Sequence, residues 1–88
     1  MKTILITTLL TATLSAQSTC NFAIGHMNSE LDGIRISFQD NDKWGVRSSR
    51  DSFKYWSKFA ITKCPQSKAD EIRELRRDTL EKIKNAGI

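Results

Sequence analysis

The sequence predicts an α+β domain: a small antiparallel β-sheet of three to four strands, then one C-terminal amphipathic α-helix, closed by a single disulfide. Three observations carry this expectation. Apolar residues alternate with period two over Ile34-Arg35-Ile36-Ser37-Phe38, they recur at helical spacing beyond Ser67, and the chain holds two cysteines, Cys20 and Cys64.

The N-terminus reads as a secretory leader. Lys2 supplies a short positive region, Ile4 to Leu14 an apolar core softened by threonines, and Ser15-Ala16-Gln17-Ser18 the small residues a signal peptidase accepts. The apolar run is about a dozen residues, short of the ~20 needed to span a bilayer. Cleavage after Ser18 is expected, with cleavage after Ala16 as the competitor. Residues 1–18 are thus a signal peptide and residues 19–88 a single small secreted domain. No transmembrane segment is expected once the leader is removed, and the predicted location is extracellular, with action in or on a host cell.

The mature part begins with strand-like sequence. Phe22 and Ile24 alternate before a turn-prone Asn28-Ser29-Glu30, and Gly33 reopens the chain into the alternating Ile34, Ile36 and Phe38. Asp40-Asn41-Asp42 is a turn by chemistry, because Asn and Asp tolerate left-handed backbone and bond their own main chain. Trp44 and Val46 then return in phase, so residues 33–48 predict a hairpin. Residues 49–63 fit two readings. Phe53, Tyr55, Phe59 and Ile61 alternate as in a strand, which their aromatic content favours. Phe53, Trp56 and Ala60 instead share a helical face that Ser49 could cap. The final helix is expected over 67–86, capped by Ser67, with Ile72, Leu75, Leu80 and Ile83 turned to the sheet and Arg76 lying along the edge of that stripe.

Two cysteines in a small exported domain are expected to pair with each other. Closing a loop of roughly 44 residues contributes at most about 4 kcal/mol in the chain-entropy account. That matters in a domain of about 70 residues, whose core alone supplies little net stability.

Charge is distributed unevenly. The whole chain carries a formal +4. Residues 19–42 set four carboxylates against Arg35, whereas residues 43–63 set six cations against Asp51. Within that basic block, Lys54-Tyr55-Trp56-Ser57-Lys58-Phe59 interleaves cations with rings. Arg47, Arg50, Lys54 and Lys58 are the candidate binding residues, for a host protein or another anionic partner.

Catalytic signals are sparse. His26 is the sole histidine; with Glu30 and Arg35 it could in principle cleave RNA, but no nucleophile or oxyanion pattern accompanies it, and the chain is expected not to be an enzyme. Zinc needs about four convergent ligands, so no metal is expected with both cysteines oxidised. None of the four glycines belongs to a phosphate loop, and no cofactor is expected.

The plan resembles the small secreted effector proteins of filamentous fungi, plant-associated ones in particular. It shares their Ile/Thr/Leu-rich leader ending in Ser15-Ala16-Gln17-Ser18, their short mature domain, and a first cysteine, Cys20, soon after the leader with a second, Cys64, beyond an expected β-rich block. The resemblance implies a single-disulfide sheet fold and a protein that binds a host or competitor molecule rather than turning over a substrate. Two other function classes stay open: a cationic antimicrobial or killer-type toxin acting on membranes, and a secreted ribonuclease-like protein.

Overall fold

Three α-helices make up the fold in the computed structural model, which describes the backbone from Lys2 and side chains from Gln17 to Ile88. They are α1 (Lys2–Gln39), α2 (Lys43–Lys63) and α3 (Gln66–Asn85). No strand occurs among the described residues. The α+β expectation is therefore overturned, together with the sheet fold that the effector resemblance implied. The leader expected over residues 1–18 lies outside the residues described with side chains, apart from Gln17 and Ser18.

The helices form because a second periodicity runs through the supposed strands. Cys20, Met27 and Ile34 recur every seven residues, and Ala23 falls between the first two; all four are buried. Leu31 and Phe38 pack against the same cluster. On a helix these positions share one stripe. The alternating triplet splits accordingly: Ile34 is 5% exposed, but Ile36 turns outward at 51%. Residues 44–47 likewise belong to a helix, which buries Val46 and leaves Trp44 exposed. Residues 49–63 continue that helix, with Phe53, Ser57 and Ala60 fully buried.

The turn stands at Asp40 and Asn41, but it joins two helices rather than two strands. Asn41 takes the left-handed conformation, φ 55°, which Asn tolerates. Asp42, not Ser49, caps α2, its carboxylate accepting the Gly45 N–H at 2.9 Å. Gly45 is needed for closeness: a Cβ there would stand 2.5 Å from Ser37 Oγ and 2.6 Å from Asp42 Oδ2. Gly33 is a second close approach, its missing Cβ falling 2.8 Å from Ser49 Oγ.

These contacts set an antiparallel register for α1 and α2. Ser37 lies opposite Gly45, Gly33 opposite Ser49, and Cys20 is disulfide-bonded to Cys64, Cα to Cα 4.7 Å. The bond therefore ties the helix carrying Cys20, rather than a first strand, to the C-cap of α2. Pro65 follows and serves as N-cap of α3 without a side-chain bond, so Ser67 is not the cap. The chain reverses again, and α3 runs antiparallel along α2, where Arg76 meets Ser57 and Ile88 lies near Val46.

Helix α2 is the central element. Among the described residues it packs against both α1 and α3, while no Cα of α1 comes within 8 Å of a Cα of α3. Ile72 and Ile83 of α3 join Met27, Ile34, Val46, Phe53 and Ala60 in one apolar cluster. Leu75, expected to pack, is 38% exposed, and Leu80 is half-buried. Docking against the side chains of two helices rather than on a sheet leaves Leu75 at the margin of the buried stripe of α3.

Candidate functional site

At about 100° per residue, Arg47, Arg50, Lys54 and Lys58 fall on one side of α2 within roughly 80°. The structure thus brings the four predicted binding residues into one stripe some 11 residues long, or about 16 Å. They are not equivalent. Arg50 keeps only 26% side-chain exposure and pairs with Asp51 at 3.2 Å. Arg47, Lys54 and Lys58 are exposed, and none has an ion-pair partner among the described residues.

The next helix adds cations of which some are paired. Arg73 pairs with Asp70 at 2.7 Å and Arg77 with Asp78 at 3.2 Å. Asp78 thus engages its neighbour in sequence. Arg76 is half-buried, and its Nε donates to Ser57 Oγ at 2.9 Å. It positions α3 on α2 and is not part of the outward stripe.

The interleaved rings divide between core and surface. Phe53 is fully buried, Trp56 and Phe59 are half-buried, and Tyr55 is 61% exposed. Two α1 residues that sequence reasoning left out of this block complete it. The His26 imidazole stacks on the Trp56 indole, centroids 4.1 Å apart and planes 12° apart, and Phe22 meets both rings edge-on. Tyr55 and Phe59 continue the cluster from Trp56 along α2, and Lys63 Nζ lies 5.7 Å from the centre of the Phe59 ring. The signal that could have found the pair is the four-residue spacing of Phe22 and His26, which places both on one helical face.

The residues named for RNA cleavage are not gathered at one point. Arg35 stands nine residues from His26, roughly 14 Å along α1 and half a turn around it, and it pairs instead with Asp32 at 3.3 Å. The His26, Glu30 and Arg35 trio is therefore not assembled. Among the described residues no group of three or more His, Cys, Asp or Glu side chains converges as a metal site, and no helix is long and apolar enough to cross a membrane. A trough of about 430 Å³ separates α1 from α3, walled by Leu31, Ile34, Phe38 and Ile83 with Arg35 and Lys82 at its rim. It holds no acid–base pair.

Comparison with protein-family models, with curated proteins and with solved structures gave no match.

Proposed function

We propose that the chain is exported and that residues 19–88 form a non-enzymatic, effector-type binding module, engaging an anionic host or competitor molecule through the outward face of α2. The observation that carries this reading is the alignment of Arg47, Lys54 and Lys58 on one exposed helix face with no carboxylate partner among the described residues. Unpaired surface cations in a row raise the local positive potential and speed encounter with an anion. The resemblance to fungal effectors now rests on the leader, size and cysteine count alone.

The test is charge reversal. Lys54→Glu with Lys58→Glu should keep the helical circular dichroism of the parent, because both side chains are exposed. It should lose the partners that the exported parent captures from candidate host tissue at low salt. Identical capture by parent and variant would defeat the proposal. Capture should also weaken toward physiological ionic strength, where the Debye length falls to about 8 Å.

A further inference from the structure

Resting on that reading, we infer that the anionic partner is a lipid bilayer surface, and that the ring cluster of Phe22, His26, Tyr55, Trp56 and Phe59 is the part that enters the bilayer interface. The five rings form one contiguous patch across α1 and α2, every link between ring centres 6.4 Å or shorter. Phe22 at 58% and Tyr55 at 61% exposure leave much of it in water. Contiguous exposed apolar surface on a small domain marks an interaction site more often than chance.

Charge names the partner. Residues 17–29 of α1 and 52–63 of α2, which carry all five rings, contain no carboxylate. They contain Lys54, Lys58 and Lys63, all exposed. Rings beside cations with no acid among them suit the boundary between anionic headgroups and acyl chains. There aromatic rings sit at headgroup depth and lysine stems reach back to the phosphates.

Ring packing argues against single-stranded nucleic acid. Such binding needs open ring faces on which bases can stack. Here His26 covers one face of Trp56, and Phe22 and Tyr55 abut it edge-on. The Trp56 face that His26 covers is closed to such stacking, and the exposure of the cluster lies mainly on Phe22 and Tyr55. The surface beside it, lined by Asn21, Phe22, Gly25, His26 and Ser29, carries no Asp, Glu, Lys or Arg and is open to solvent.

The experiment is co-sedimentation of the exported protein with vesicles of phosphatidylcholine mixed with phosphatidylserine, and with vesicles of phosphatidylcholine alone. Retention on immobilised heparin, a soluble-type polyanion without an apolar phase, is measured in parallel. Binding to the anionic vesicles is expected, at least about tenfold tighter than to the neutral ones, because each lysine near an anionic surface contributes about a fivefold factor. Lys54→Glu with Lys58→Glu should lose both vesicle and heparin binding. Phe22→Ser with Tyr55→Ser should lose vesicle binding and keep heparin binding. Trp44→Ser, at the far end of α2, should keep both. Phe22→Gln and Tyr55→Gln singly serve if the double variant loses its helical circular dichroism. Heparin binding without vesicle binding overturns the lipid inference and leaves the cationic-face reading standing. Vesicle binding unchanged by the ring variants overturns it too, since charge alone would then suffice. Failure to bind either ligand overturns the lipid inference, while the cationic-face reading is decided by the capture experiment above.

Discussion

Arg76 on α3 donates from Nε to the hydroxyl of Ser57 on α2 at 2.9 Å, and Ser57 is fully buried, its own hydroxyl turned to the Lys54 carbonyl at 3.2 Å. This is the side-chain hydrogen bond that joins α2 to α3 among the described residues. It sits where a serine interrupts the otherwise apolar seam of Val46, Phe53 and Ala60. A hydrogen bond to a charged donor contributes more than a neutral one.

Ser57→Ala should therefore destabilise the protein by about 1 kcal/mol, at the modest end because Arg76 is half-exposed and can turn to water. Arg76→Met should cost less, since Ser57 keeps its bond to the Lys54 carbonyl and the stem still packs. Urea melts of the two variants against the parent decide this. A Ser57→Ala variant as stable as the parent would show that the bond adds nothing.

Reduction of Cys20–Cys64 should lower stability by up to about 4 kcal/mol, the chain-entropy figure for a loop of this length. The bond ties α1 to the end of α2, at the junction from which α3 departs. Cys20→Ser with Cys64→Ser should match the reduced parent in thermal melting. Unchanged melting on reduction would mean that α1 and α2 hold their register without the bond.

Ile83→Ala should cost about 2–5 kcal/mol, the range for a fully buried large side chain, since Ile83 is 1% exposed. Leu75→Ala should cost less than half as much, because its 38% exposure leaves much of that side chain in water already. Chemical denaturation of both variants is the measurement, and equal losses would contradict the packing of α3 described above.

The two helical glycines of α1 should respond differently to alanine. Gly25 has nothing within 4 Å of where a Cβ would stand, so Gly25→Ala should stabilise by up to about 1 kcal/mol through helix propensity. Gly33→Ala places its methyl 2.8 Å from Ser49 Oγ and should gain less or lose. Adding Ser49→Ala should restore the gain. Equal melting shifts for Gly25→Ala and Gly33→Ala would refute the close approach of α1 and α2 at this point.

The basic stripe and its rings were partly legible as residues and not as a surface. Lys54, Lys58 and Tyr55 could be singled out because cations and aromatics alternate there. Their outward direction depends on α2 being a helix: as a strand, Tyr55 and Phe59 would have shared a face with buried Phe53. Phe22 and His26 lie 34 and 30 positions before Trp56 and are brought to it by the antiparallel register of α1 and α2.

By itself the sequence determined the C-terminal helix to within a residue of each end, because one period alone fits Ile72, Leu80 and Ile83, and it marked the reversal at Asp40-Asn41-Asp42 through backbone chemistry. It also placed in the chain the two cysteines that the fold joins. Tertiary structure alone decided strand against helix for residues 20–63. Ile34, Ile36 and Phe38 fit period two over five residues, while Cys20, Met27, Ile34 and Phe38 fit a helix over nineteen. Strand propensities of this kind differ by about 1 kcal/mol at most, and burying one large apolar side chain contributes about 1.5–3 kcal/mol. Once α2 supplies a surface along residues 20–38 of α1, the longer pattern buries more and wins, at the cost of leaving Ile36 in water.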